Sequence, residues 1–363
     1  MSSVLERPVF DALEHYSRLS VEELAAIVQD HKRQFGTKLL ILGHYYQKPE
    51  VIDLADITGD SYGLSKAAAE ASDCEMILFC GVHFMAESAR ILAREDQIVL
   101  HPDLRAGCPM ADMASLDMVT QAWEELAEVT DISRVIPVTY MNSDADLKAF
   151  CGTRGGIVCT SSNAPRVYDW SFERGDKILF FPDEHLGRNT GNLKGISKDQ
   201  MVVWDPKQYQ GGLAGDQIGE AKVLLWKGFC HVHTHFTEEQ IQKIREAEPD
   251  AIILVHPECP EEVVALADGV GSTDYIRRYV EAAKPGATIY IGTEMNHSIN
   301  LARRHPDLAI KFLSRSLCPN MWKIGLNDMA YTLDMGGKVN RVELPDEIRA
   351  PARLALERML EVA

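Results

Sequence analysis

Short apolar runs alternate with helix-period segments along this chain. Lys38–Gly43 (KLLILG), Met76–Gly81 (MILFCG), Val135–Tyr140 (VIPVTY), Gly156–Thr160 (GIVCT), Lys177–Phe181 (KILFF), Ala251–Val255 (AIILV) and Thr288–Gly292 (TIYIG) are continuous apolar stretches bounded by Gly, Pro or polar residues. Strands covered on both faces read this way, so these runs predict buried parallel strands. Between them, Phe84–Glu95, Thr237–Glu246 and Thr273–Ala283 place apolar residues at helical spacing. Strand and helix in alternation mean an α/β architecture with parallel sheets. In that class the chemistry gathers at the carboxyl ends of strands.

Those ends share a character. His44-Tyr45-Tyr46, Val82-His83, Met141-Asn142, Asp183-Glu184-His185, His256-Pro257-Glu258 and Thr293-Glu294 follow successive apolar runs. One polar residue at a strand end serves as a cap or turn as readily as a ligand. A succession of them points to loops that converge on one face of each sheet. There is also weak internal repetition. VHFMAESARILARED at 82–96 resembles TEMNHSINLARRHPD at 293–307, and FPDEHLGRNTG at 181–191 holds the equivalent place between them. A chain of 363 residues exceeds what one hydrophobic core usually serves. Three related units are expected, at 1–118, 119–236 and 237–363.

Charge narrows the partners. Lys and Arg number 37 against 54 Asp and Glu, a net charge of −17, which argues against nucleic-acid and anionic-membrane partners. The longest apolar run, Met76–Ala86, is broken by Gly81 and His83 and falls short of the ~20 residues of a membrane span. Glu6 and Arg7 stand where a signal peptide needs apolar residues. A cytoplasmic protein is expected.

The eight cysteines contain no CxxC pair, which excludes a zinc ribbon. Cys80 and Cys159 fall inside strand-like runs, as small packed hydrophobes do. Cys108 (RAGCPMAD), Cys230 (KGFCHVHTHF) and Cys318 (SLCPNM) fall in loops, one in each third of the chain. Cys-Pro is frequent beside iron–sulfur clusters. Three converging thiolates would hold a cubane and leave one iron open as a Lewis acid. By residues alone this is one subset among several, since Cys259 also precedes Pro. A rival reading starts from His231-Val232-His233, the His-x-His opening of many zinc hydrolases, with His256 and Asp274 as further ligands. Cys230 beside it suits a softer metal. A third reading is a non-catalytic cluster protein for electron transfer or redox sensing.

Gly59-Asp60-Ser61, Thr160-Ser161-Ser162-Asn163 and Gly271-Ser272-Thr273 each precede a helical segment. Free N–H groups at a helix start favour phosphate or carboxylate, and the same residues serve as plain N-caps. No GxGxxG, GxxxxGK[ST] or GxSxG motif is present, which removes the main support for dinucleotide, P-loop and serine-hydrolase readings.

Taken in order, GHYYQKPEV (43–51), GDS (59–61), RAGCPMADM (105–113), TYMNS (139–143), CTSSNA (159–164), GFCHVH (228–233), HPEC (256–259), GST (271–273) and CPNM (318–321) resemble the quinolinate synthase family. The resemblance runs through nearly the whole chain. It implies three similar αβα units about a pseudo-threefold axis, with one [4Fe–4S] cluster at the centre held by Cys108, Cys230 and Cys318 and one iron left open. It implies condensation of iminoaspartate with dihydroxyacetone phosphate to quinolinate, phosphate and two waters, on the de novo route to NAD. It leaves room for a transient contact with L-aspartate oxidase.

By the same resemblance His44, Ser61 and Ser161 would hold carboxylates, and Tyr140 and Asn142 would line that pocket. His256, Glu258 and Thr273 would handle the triose phosphate and later proton transfers, with Tyr46 and His233 near the reacting atoms. His and a buried Glu suit such proton traffic near neutrality. A Tyr of pKa about 10 suits donation better than base work. Two departures stand out: FLSRSLCPNM lacks the CxxC pair some members carry, and the segment 144–158 is longer than in the shortest members and adds Cys151, which has no assigned role. Both implied substrates are anions, so a chain of net charge −17 must recognise them locally. The means are backbone N–H groups at Ser61, Ser161 and Thr273, the imidazoles of His44 and His256, and the iron.

Overall fold

The computed structural model describes residues 13–362, so the segment holding Glu6 and Arg7 lies outside the described residues. Residues up to Gly107, with Cys318–Leu344, form one compact unit; Cys108–Leu317, with the C-terminal segment from Pro345, form a second. The described strands make three sheets, and every pairing within them is parallel. The architecture is α/β, as the alternating pattern predicts.

In the first unit, β1 (Leu39–His44), β2 (Ile57–Gly59), β3 (Met76–Cys80) and β4 (Ile98–Leu100) lie in the order β2-β1-β3-β4. The predicted runs became the two central strands, because only there are both faces covered. Gly43 has no room for a side chain: a Cβ would come within 2.8 Å of Ala55 Cβ. The helix Val21–Phe35 starts with a capping box in which Ser20 and Glu23 satisfy each other's backbone N–H, and it buries Leu24 and Val28 toward β1 and β3. The helix Leu326–Asp334 joins the same core through Met329 and Ala330, and Asp334 accepts hydrogen bonds from His31 and Tyr16 at 2.6 Å each.

Asp328 on that helix accepts from Gly325 N–H at 3.0 Å, but its carboxyl is buried. Burial, helped by the charge of Asp103 and opposed by Lys48 and Arg105, pushes its pKa up to about 6. The folded state therefore binds this proton more tightly than the unfolded chain. The group's contribution is favourable at low pH and is lost as pH rises through about 6. A rise from the ordinary 3.8 to about 6 corresponds to about 3 kcal/mol at most. Asp328→Asn, which keeps the acceptor and removes the charge, is expected to raise unfolding free energy by about 2 kcal/mol at pH 8 and to be near neutral at pH 4. Urea titrations at the two pH values check this; equal changes at both would contradict it.

In the second unit, β5 (Val135–Tyr140), β6 (Ile157–Cys159), β7 (Lys177–Phe181), β8 (Met201–Trp204) and β9 (Val223–Trp226) form a sheet in the order β6-β5-β7-β9-β8. β10 (Ile252–Val255), β11 (Gly269–Val270), β12 (Thr288–Gly292) and β13 (Ala309–Phe312) form another in the order β11-β10-β12-β13. The three helices expected from periodicity appear as His83–Leu92, Glu238–Ala247 and Thr273–Ala282.

The chain beyond Leu317, expected to stay with the third unit, is shared out instead. Cys318–Leu344 belongs with the first sheet, and the helix Asp346–Glu361 packs on β6 and the helix Ala145–Thr153. Asn163 Nδ2 donates to Met359 O at 3.3 Å, and Arg358 donates to Gly156 O at 2.6 Å. After β13 the third sheet takes no further strand, so these amphipathic helices bury their apolar faces on cores opened by other sheets. No helix among the described residues is long and apolar enough to cross a membrane.

Candidate active site

The site residues fall on repeated slots of the sheets. β1 pairs with β2 so that His44 stands opposite Gly59, and β5 pairs with β6 so that Tyr140 stands opposite Cys159. β10 pairs with β11 through Val255 and Val270, which sets His256 beside Gly271. The first slot thus holds His44, Tyr140 or His256. Two residues further along the same strand come Tyr46, Asn142 and Glu258. Two residues past the cross-strand neighbour come Ser61, Ser161 and Thr273. The strand-end histidines even share a local bond, since each Nδ1 faces the N–H two residues on: Tyr46 N at 3.2 Å from His44, Glu258 N at 3.4 Å from His256. An accepting Nδ1 leaves the proton of the neutral ring on Nε2.

The three cradles are capped by neighbours of the predicted residues. Asp60 accepts from Gly63 N, and Ser272 accepts from Tyr275 N, leaving Ser61 and Thr273 at the first helical position. In the middle cradle Asn163 Oδ1 accepts from Thr160 N at 2.8 Å, and Ser161 Oγ lies 3.1 Å from His256 Nε2. Asn142 holds a buried Oδ1 for which the described residues supply no hydrogen-bond partner. In the first unit, His44 is buried and Tyr46 is half-buried, with the two rings edge to face at 4.7 Å.

In the second unit five of the predicted residues meet. Tyr140 donates to Glu258 Oε1; Glu258 Oε2 lies 2.7 Å from His233 Nδ1; His233 stacks on His256 at 4.4 Å. His256 then reaches Ser161. Tyr140, His233, His256 and Glu258 are all buried. Burial works to raise the Glu258 pKa, but His233 and His256 and the hydrogen bonds from His233 and Tyr140 outweigh it, holding the carboxyl below its ordinary range. An ionised Glu258 requires the proton on His233 Nδ1, so the neutral ring accepts at Nε2. Thr293 Oγ1 lies there, at 2.9 Å. Asp183, also fully buried, is pushed the other way by burial and by the charge of Glu258.

The zinc-hydrolase ligand set is not assembled. His231 is exposed, while His233 is buried with both ring nitrogens engaged. Asp274 is paired with Arg277 at 2.8 Å and Arg278 at 3.0 Å. The His, Cys and carboxylate group that does lie close enough to share an ion among the described residues is Cys230, His233 and Glu258.

Among the cysteines the structure draws a clear line. Cys108, Cys230 and Cys318 are partly exposed; Cys74, Cys80, Cys151, Cys159 and Cys259 are buried. Each of the three starts a helical turn, its carbonyl accepting from the N–H four residues on: Asp112 at 3.1 Å, Thr234 at 3.0 Å and Trp322 at 3.1 Å. Burial pushes the other five thiols up, and for Cys259 the charge of Glu258 adds to it, so none is a ready thiolate. The turns carrying Cys108 and Cys230 are stitched together, with Trp226 Nε1 donating to Met113 O at 2.8 Å and Phe229 N to Met113 Sδ at 3.4 Å. Each of the three is thus an accessible soft donor, the ligand type an iron–sulfur cluster takes.

Thr293 and Asp183 stood in the polar strand ends of the sequence but carried no assigned role, since a lone Thr or Asp there reads as a cap. Asp183 is indeed one, accepting from Leu186 N at 2.6 Å.

A family profile described as Quinolinate synthetase A protein matches residues 26–361. A Corynebacterium glutamicum protein named quinolinate synthase is 49% identical over 354 residues, covering 96% of this chain and 90% of that protein. Proteins of the same name from Streptomyces coelicolor and Acidobacterium capsulatum are 48% and 44% identical, covering 93% and 100% of this chain and 88% and 99% of their own lengths. With the repeated slots, the three accessible cysteines and similarity along its whole length, this chain belongs to the quinolinate synthetase A family of enzymes.

Proposed function

We propose that this chain condenses iminoaspartate with dihydroxyacetone phosphate to quinolinate, phosphate and two waters, a step of de novo NAD biosynthesis. The observation that carries the reading is the buried, ionised Glu258 held between Tyr140 and His233. Closing a pyridine ring with loss of two waters needs protons taken and returned away from solvent. Glu258 Oε1 is the position at which a substrate proton can be taken, while His256 Nε2, which carries the proton of the neutral ring, can donate one. Tyr140 is the donor that can return one to a departing hydroxyl. Thr293 holds the His233 ring in place while Glu258 changes charge.

By the family's pattern His44, Ser61 and Ser161 bind the carboxylates of iminoaspartate, and Thr273 with its helix N–H groups takes the phosphate of the triose. Tyr46 stands beside His44 as a further donor. Cys108, Cys230 and Cys318 would hold a [4Fe–4S] cluster, which a reducing cytoplasm would preserve. When bound, it supplies a Lewis-acidic iron to a hydroxyl or carboxylate oxygen. Local N–H groups and imidazoles of this kind offset the unfavourable field of a chain with net charge −17.

The test uses protein purified and loaded with iron and sulfide without oxygen, then given dihydroxyacetone phosphate and iminoaspartate generated in situ. Quinolinate and phosphate should appear in equal amounts. Phosphate release without quinolinate, or neither product from cluster-loaded protein, would refute the proposal.

A further inference from the structure

Asn189 lies on the helix Glu184–Leu193, in a stretch (RNTGN) that shows no catalytic signal in the sequence. Its side chain is buried, and its amide nitrogen donates to two carbonyls at once, Pro257 O at 2.9 Å and Cys259 O at 2.8 Å. Those carbonyls flank Glu258 on either side. Reversing the amide would set its oxygen against both of them, so the two donors fix its orientation.

The helix that carries Asn189 is itself held hard on the sheet of β5 to β9. Tyr168 OH donates to Gly187 O at 2.9 Å, and Gly187 packs so tightly that a Cβ would come within 2.5 Å of Leu225 Cδ2 and 2.8 Å of Phe180 Cδ1. The amide is therefore a bracket from one sheet of the second unit to the catalytic loop of the other. Tyr140 ends β5 on the first of these sheets, and Glu258 follows β10 on the second. Their hydrogen bond crosses from sheet to sheet. It can form only where the two are registered to within a fraction of an ångström.

We propose that Asn189 is a positioning residue that sets this register, holding the backbone around Glu258 so that its carboxylate meets Tyr140. It touches no reacting atom and acts through the loop 256–259. The consequence for catalysis rests on the function proposed above; the consequence for the loop does not.

The experiment compares Asn189→Leu, close in size and without donors, and Asn189→Asp with the parent, all as cluster-loaded protein. Hydrogen exchange read by mass spectrometry should be about ten-fold faster over residues 256–260 in Asn189→Leu and unchanged over β5 and β7, as expected for lost hydrogen bonds. kcat should fall about fifty-fold, with KM changed by less than about three-fold, the scale expected for a sub-ångström misplacement. Asn189→Asp, neutral among carbonyls, keeps one donor and should lose about five-fold.

In a Tyr140→Phe background, Asn189→Leu should cost less than about three-fold further, because the bond it aligns is already gone. Unchanged exchange in the loop would overturn the proposal, and so would the same fold loss in both backgrounds. If Asn189→Leu lacks a cooperative melt, the exchange and the cycle are read on Asn189→Asp, and additivity there overturns it equally. Parent protein that makes no quinolinate refutes the function alone, while the exchange result still decides the role of Asn189.

Discussion

Glu258→Gln is expected to lower kcat by about three orders of magnitude while leaving the thermal midpoint and the cluster absorbance near those of the parent. The size follows from what the carboxylate does. General acid–base groups contribute about 10²–10⁴-fold, and Glu258 serves three neighbours at once. It accepts from Tyr140, sets the tautomer of His233, and places negative charge beside the stacked His233–His256 pair. Gln fills the same space, but its oxygen can serve only one side. With that oxygen on Tyr140, the NH₂ faces His233 Nδ1 and forces the ring proton onto Nε2, toward Thr293. The chain of hydrogen bonds survives with its polarity reversed, so folding is spared and proton transfer is not. Loss of the Glu258 charge also removes one cause of the raised Asp183 pKa, which leaves little net effect on stability near neutral pH. Steady-state kinetics with a melting curve checks this. A loss of less than about ten-fold would place Glu258 outside the reaction.

The second large effect concerns the cysteines. Cys108→Ser, Cys230→Ser and Cys318→Ser are each expected to drop iron and sulfide below about a tenth of the parent level and to abolish quinolinate formation, because a hard hydroxyl replaces a soft thiolate. Cys151→Ser and Cys259→Ser should keep both the cluster and most activity. Their thiols are buried and pushed toward the neutral form, so they cannot serve as ligands without opening the core. Iron and sulfide analysis on protein prepared without oxygen separates the two groups. Cluster loss in Cys259→Ser equal to that in Cys230→Ser would overturn the assignment.

How far the site could be read from sequence depended on whether a residue's partners are near it in the chain. The predicted strand runs at 135–140, 177–181 and 288–292 match β5, β7 and β12 to the residue. Central strands announce themselves because both of their faces are covered. Of the edge strands, β6 falls in the predicted run 156–160, whereas β2, β4, β8, β11 and β13, of two to four residues each, carry too little apolar signal. The interior β9 was missed, although it is as long as the predicted β10. The polar strand ends were visible as a series, and the pairing registers now explain why the series repeats: the same slots recur on each sheet.

The α/β alternation, the polar residues at strand ends and the three loop cysteines were legible in one dimension, because each is a property of a short stretch and its period. Which of these residues work together is a matter of three dimensions. Tyr140 and Glu258 are 118 residues apart, and Asn189 reaches Pro257 across 68, so no local pattern can report either contact. Burial settled the rest. It separates three accessible thiols from five buried ones and pushes the Asp183 pKa up, while beside it the histidines and hydrogen bonds around Glu258 outweigh the same burial and pull that carboxyl down. Desolvation belongs to a place in the fold and not to a residue type, which is why composition and spacing cannot carry it.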